Sequence, residues 1–563
     1  MNPIVFDGRV GWIHPAQGDV GVVIAGAQGF EDLCSRRFLT VLAGQLAEAG
    51  MPVLQFDYSG CGNSAGDHAE PGRLSAWISD IGAAIDCLKT EASVRNVVVI
   101  GFRLGALLAP VAVAGRDDVS RMALLAPPAS GKGYVRELIG LSRIVDADIQ
   151  PHPGQSDFDG VEASGFRSSA ETIEDLRALA WGENAIPPAG LDLLLMSPQL
   201  GAAHEAFASR VVAAGGKVET KSFDGYTQMM SRPSHDYPRS SLSEILEWAA
   251  GHREREAGGN SPAPHPDMVV LDGDGYRERP LVLGSAPRIC AVLCTPAEPP
   301  VTDTVVLLLN AGAIPHIGAA RSAVDMARFL AGNGIASMRA DLPGLGQSQA
   351  YAEKRTPLYD ERTSQDVIRI VDWLHDNGFR RICVAGLCAG AFQAFHAARS
   401  DARIHDLVLV NPLCFAWDSS YALHLELSNI RDRARASLPA DDPQADQPRS
   451  SGQAKALAVN LVKSTLRFSL ESAKTLSLLW KRSTGRSVEA WMRDLTRRGT
   501  RVLVVSSEGD LSLQEIARHF GPDGERLKQM SGVSTALISG ANHTLTPLHA
   551  RQRLNELIRQ FLS

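Results

Sequence analysis

A chain of 563 residues, 44% hydrophobic and 21% charged, is too long for one hydrophobic core and has the balance of a globular protein with two or more domains. Its formal charge of −7 argues against a nucleic-acid partner, which needs clustered lysine and arginine, and no run approaches the roughly 18 apolar residues of a membrane span. The opening MNPIVFDGRVGW lacks a basic stretch followed by an apolar one, so no secretory leader is expected; eight cysteines, many inside apolar runs, suit the reduced thiols of a cytoplasmic protein.

Along the first half, short β-branched runs (VGVVIAG, MPVLQFDY, NVVVIGF, RMALLAP) alternate with amphipathic segments (RRFLTVLAGQLAEAG, LSAWISDIGAAIDCLKT). Strands buried on both faces and spaced by helices predict a mostly parallel sheet with right-handed crossovers. The polar, Gly- and Pro-rich stretch 251–267, GHREREAGGNSPAPHPD, reads as a linker between a domain 1–250 and a domain 268–563. Cys290 and Cys294 follow in RICAVLCTPA; a strand puts both on one face, no zinc-spaced partner cluster follows, and buried thiols without metal are expected. The strand runs then repeat as VVLLLNAG, IASMRADL, RICVAGL, DLVLVNP and RVLVVSS. Each half breaks its alternation late. In the second half the long helical pattern at 415–495 predicts a lid.

Three landmarks recur in order. GVVIAGAQG (21–29) matches VVLLLNAGA (305–313), Asp57 in FDYSGCGNSAG matches Asp341 in ADLPGLGQSQA, and Gly101 in GFRLG matches Gly386 in GLCAG. A shared offset of 284 or 285 residues marks a duplication. The glycines of GCGNSAG and GLGQSQA lack the acidic residue that grips a ribose, so no dinucleotide and no other cofactor is expected.

Gly-x-Cys-x-Gly between a strand and a helix is the pattern of a nucleophile elbow, whose sharp turn exposes its central side chain above the sheet edge. Cys388 is the candidate nucleophile, at a helix start that favours thiolate. An acid and a base come next in order: Asp510 after RVLVVSS, with Glu508 as its competitor, and His543 after STALISG. Cys388 would attack a carbonyl, His543 move the proton, and Asp510 fix the imidazole tautomer. Asp510 also suits a helix N-cap. In the first copy the elbow carries Arg103, which cannot act as a nucleophile. Ser197-Pro198 stands where an acid belongs, and His235 has nothing to activate. The first half is therefore expected to be a structural copy packed on the second, or else to bind an anion through Arg103.

Both halves resemble the α/β-hydrolase superfamily over essentially the whole chain. The NAG loop, the turn DLPGLGQS and the elbow are similar to those of hydrolases encoded beside exosortase and exopolysaccharide genes. The resemblance implies two tandem α/β-hydrolase-like domains, each a mostly parallel sheet flanked by helices with a helical lid. It makes NAGAI the oxyanion loop, with the backbone N–H groups of Ala313 and Ala389 as the hole. Cysteine stands where the superfamily more often has serine. His316 and Arg321, just beyond the loop, either meet substrate or cap the next helix.

These readings converge on an acyl hydrolase, an esterase or thioesterase, whose partner is a small-molecule acyl ester or thioester. Three alternatives stay open: an acyltransferase acting in polysaccharide or secondary-metabolite biosynthesis, a non-catalytic tandem scaffold, and a redox role for Cys388, with Cys383 the nearest thiol in sequence. Oligomeric state is left open.

Overall fold

The computed structural model describes residues 1–146, 158–182, 185–251, 269–298, 302–352, 358–417 and 487–563. The first half contributes β1 (Asn2–Phe6), β2 (Arg9–His14), β3 (Val20–Ala25), β4 (Val53–Phe56), β5 (Asn96–Phe102), β6 (Val119–Leu125), the hairpin β7 (Gly160–Ala163) and β8 (Phe166–Ser169), then β9 (Asp192–Met196) and β10 (Lys217–Lys221). The second contributes β11 (Leu271–Gly273), β12 (Tyr276–Leu283), β13 (Ile289–Pro296), β14 (Thr304–Leu308), β15 (Ala336–Ala340), β16 (Arg381–Leu387), β17 (Ile404–Val410), β18 (Arg501–Ser507) and β19 (Val533–Ile538).

The sheets run β1-β2-β4-β3-β5-β6-β9-β10 and β11-β12-β13-β15-β14-β16-β17-β18-β19. Apart from the short β11 the two orders match strand for strand, so the duplication is one of topology. In each sheet the N-terminal strands pair antiparallel up to β4 or β15, and every later pairing is parallel. This arrangement explains the apolar runs: a strand covered on both faces has no solvent side, and Val97 to Ile100 of β5 are fully buried.

Among the helices that flank the sheets are α1 (Gly29–Glu48), α2 (Leu104–Ala112), α3 (Gly131–Val145), α4 (Ser322–Gly332), α5 (Ser364–Asp376), α6 (Ala389–Ser400) and α7 (Leu548–Leu562). In the second domain α5 and α6 close one face of the sheet through Ile370 and Phe395. Helices α4 and α7 close the other through Met326, Leu330, Leu554 and Ile558. The expected linker lies outside the described residues from 252 on, and the expected lid does so from 418 to 486.

The domains meet through a reciprocal contact. Arg37 of α1 donates to the carbonyls of Gly346 (3.5 Å) and Ser348 (2.7 Å) in the turn after β15. Arg321, the same position 284 residues on, donates to the carbonyls of Gly62 (2.8 Å), Ser64 (2.5 Å) and Gly66 (2.6 Å) in the matching turn of the first domain. Equivalent patches thus face each other, as in an isologous dimer, inside one chain. Beside this contact, buried Glu278 accepts from Arg339 (2.6 Å) and Arg328 (2.8 Å), and both arginines also reach Asn63 across the boundary. Burial opposes the charge on Glu278, but Arg339 and Arg328 more than offset it and hold its pKa at about 2. Glu278→Gln leaves two arginines facing a neutral acceptor. It is expected to cost about 3–5 kcal/mol in denaturant unfolding at pH 7. Because the folded pKa is depressed, the difference from wild type is present above the ordinary carboxylate range and shrinks as the pH falls toward 2.

Candidate active site

Strand β16 turns into α6 at Cys388, whose φ of 58° and ψ of −117° lie outside the regions an L-residue favours. Glycine makes the turn possible. A Cβ on Gly386 would lie 2.1 Å from the carbonyl of Gly390, and one on Gly390 would lie 2.5 Å from that of Asn310. The elbow is thereby pressed against the loop after β14. The first domain builds the same turn at Arg103, with φ 52° and ψ −109°. There a Cβ on Gly105 would lie 1.9 Å from the carbonyl of Ala25.

Asp510 and His543 sit beyond the C-terminal ends of β18 and β19. His543 Nδ1 meets Asp510 Oδ2 at 2.8 Å, while Glu508 is exposed. The other oxygen of Asp510 accepts the Ser512 backbone N–H (2.8 Å), so one carboxylate orients the imidazole and caps a helix start. Asn411 donates to the His543 carbonyl (2.7 Å) and fixes the loop from below. His543 Nε2 is buried without a hydrogen-bond partner, and the Cys388 thiol favours the charged form of the ring. The Tyr359 hydroxyl lies 3.4 Å from the sulfur, within hydrogen-bonding distance. Tyr359 stacks on Trp417 with centroids 4.8 Å apart and meets Phe392 edge-on.

These contacts set the charges. Burial pushes the thiols of Cys34, Cys61, Cys87, Cys290, Cys294 and Cys383 up. Burial opposes ionisation of Cys388 too, but His543, the Tyr359 hydroxyl and the Ala389 N–H bring its pKa down. His543 moves the other way: burial disfavours its charge, and Asp510 and Cys388 raise it to about 10. Asp510 is held below its usual range against its own burial, chiefly by His543. The arrangement favours thiolate beside imidazolium, oriented by a carboxylate.

The sequence-predicted residues divide into two groups. Cys388, His543, Asp510 and the Ala389 N–H come together, and Ala313 follows Gly312 (φ 61°) in the half-buried turn of the adjoining loop. Arg103 stands apart. Its guanidinium donates to Glu31 (2.6 Å), to Glu137 and to the Ala126 carbonyl (3.2 Å), with Tyr134 beneath it. The anion it meets is the domain's own pair of carboxylates, which a buried guanidinium requires; this replaces the expectation of a bound anion. His316 makes no capping bond, and it lines the cavity that Asn310, Gly386, Leu387 and Thr544 share. Its side chain is fully enclosed, with Nδ1 on Asp341 (2.7 Å) and Nε2 on Asn63 of the first domain (3.1 Å). Arg321 stands at the N-cap position of α4, but its side chain makes no capping bond and is spent on the domain contact. His235 is partly exposed beside Asp236. Sequence reasoning missed Tyr359, since a tyrosine 29 residues before the nucleophile in a polar stretch gives no pattern.

Among the described residues no cluster of three or more His, Cys, Asp or Glu side chains could hold a metal ion, and no helix is long and apolar enough to cross a membrane.

Comparison with known proteins agrees with the two sheets. Residues 21–151 match a serine aminopeptidase family, S33, and residues 306–557 match the alpha/beta hydrolase family. No curated protein is similar in sequence. Similar solved structures include an alpha-beta serine hydrolase homologue from Coxiella burnetii, 13% identical, covering 50% of this chain and 97% of its own, with a TM-score of 0.31. Est1E from Butyrivibrio proteoclasticus is 15% identical, with coverages of 50% and 97% and a TM-score of 0.29. The Pyrococcus furiosus esterase Pf2001 is 16% identical, with coverages of 51% and 94% and a TM-score of 0.31. With one family match and one nine- or eight-stranded sheet in each half, the chain is a tandem pair of α/β-hydrolase domains.

Proposed function

We propose that the second domain is an acyl hydrolase, an esterase or thioesterase, working through a thioester on Cys388. The observation that carries this reading is His543, tied at Nδ1 to Asp510 and coupled at its otherwise unpartnered Nε2 to a thiol on a strained elbow. The Cys388 thiolate adds to the substrate carbonyl, forming the C–S bond while the carbonyl π pair moves onto oxygen. The N–H groups of Ala389 and Ala313 receive that oxyanion. Collapse expels the leaving group, which takes the Nε2 proton of His543. Neutral His543 then accepts a proton from water as it attacks the thioester, releasing the acid and restoring the thiol pair. A sugar or other hydroxyl in place of water gives an acyltransferase by the same steps, the second outcome the geometry allows. A scaffold role fits the first domain, whose elbow ends in an internal salt bridge.

Intact-protein mass after brief exposure to an activated acyl ester is expected to show one acyl adduct on wild type and none on Cys388→Ala. Asp510→Asn is expected to slow acylation on the order of 10³–10⁴-fold by releasing the tautomer. Adduct lifetime in water against added sugars separates hydrolysis from transfer. A reduced, accessible thiol that takes no acyl group from any ester or acyl-CoA would instead make the tandem a scaffold.

The pair also predicts a pH profile. Alkylation of Cys388 by iodoacetamide is expected to reach its plateau below the range of an ordinary thiol, because its pKa is lowered. Acyl turnover is expected to decline as the pH rises through about 10, where His543 gives up the proton it must donate. His543→Ala and, by a smaller amount, Tyr359→Phe are expected to move the alkylation limb to higher pH. A wild-type limb near pH 9 contradicts the assignment.

A further inference from the structure

The oxyanion loop is not held by its own domain alone. Asp341 gathers it: the carboxylate accepts the His316 backbone N–H (2.7 Å), His316 Nδ1 (2.7 Å), Asn310 Nδ2 (2.8 Å) and the Gln347 N–H (2.9 Å). Asn310 also donates to the Ile314 carbonyl (3.0 Å) and accepts from Leu342 (2.9 Å), so every turn of the segment 310–316 leads back to one buried carboxylate. The last link leaves the domain. His316 Nε2 meets Asn63 Oδ1 at 3.1 Å. Arg339 donates to the same oxygen (3.2 Å), and Asn63 Nδ2 donates to Asp57 Oδ2 (3.0 Å), so the amide is held with its oxygen toward the histidine. The imidazole is thus held at both nitrogens, Nδ1 against the Asp341 carboxylate and Nε2 against the Asn63 amide oxygen. Asn63 itself has little freedom, since its own carbonyl and those on either side accept from Arg328 and Arg321.

Asymmetry singles this link out. The backbone contacts between the domains are reciprocal, yet the residue matching Asn63 in the second domain is Gln347. Its side-chain Oε1 is buried without a partner and returns no bond to the first domain's loop. The side-chain bond runs one way, into the half that carries the nucleophile. We propose that Asn63 is a positioning residue for the reaction at Cys388, acting through His316 and Asp341 to set the oxyanion loop, so that the first domain completes the active site of the second. This rests on the acyl chemistry proposed above.

Two reactions of the same sulfur test it in the full chain. Acylation by p-nitrophenyl acetate needs an oxyanion site; alkylation by iodoacetamide needs only the thiolate. Asn63→Ala is expected to slow acylation of Cys388 by about 10- to 100-fold, short of the ~10²–10³-fold of deleting an oxyanion donor. Alkylation is expected to stay within about twofold of wild type and keep its pH profile. Should Asn63→Ala fail to fold, His316→Gln carries the same expectation with the Asn63–Asp57 bonds intact. Equal slowing of both reactions, or no slowing of acylation, overturns the positioning role while leaving the thioester reading in place. A wild-type Cys388 that is alkylated but never acylated overturns both.

Discussion

The structure depends on a close approach of backbone to backbone at the nucleophile elbow. Strand β16 can turn into α6 above the sheet only because Gly386 and Gly390 leave no Cβ between the turn and its neighbours, with the Asn310 carbonyl pressed against Gly390. That contact puts Cys388 in a strained conformation, lifts its side chain off the sheet, and places the loop after β14 beside it. His543 and Asp510 then need only sit at the ends of the next strands along, which the parallel order supplies.

The first domain shows that this constraint is separate from the chemistry built on it. Its elbow keeps the dihedral angles and the forced glycines, but its central position holds a buried Arg103, paired with Glu31 and Glu137. Geometry survives because the sheet and α2 need the turn in order to pack. A nucleophile is needed only where there is a reaction. What the first domain retains is a surface: the turn 57–66, which receives Arg321 and Arg328 and offers Asn63 to the opposite loop.

Two buried charged nodes of the second domain, around Asp341 and around His543, are of different kinds. The Asp341 carboxylate accepts from four donors, and the node holds a loop still. Around His543 one nitrogen is matched and the other is turned to a thiol, the only one among the shifted cysteines whose pKa goes down. A carboxylate met by four donors holds structure, whereas a nitrogen left beside a thiol favours its ionised form.

The sequence by itself determined the duplication, the mostly parallel sheets, the elbow, and the placing of Cys388, Asp510 and His543 at successive strand ends. Each is written in short-range pattern: apolar runs buried on both faces, glycines flanking a turn, a polar residue at a strand end. It left Asp510 and Glu508 competing, and only the 2.8 Å contact with His543 decided between them. It offered Arg103 to a ligand, and only the fold brought Glu31 to it from 72 residues away. Tyr359 beside the sulfur and Asn63 beside His316, 253 residues apart in the chain, carried no sequence signal at all. Such contacts are made where strand ends and domain faces meet. Which side chains meet there is set by sheet order and domain packing, and a linear pattern of neighbours does not contain that information.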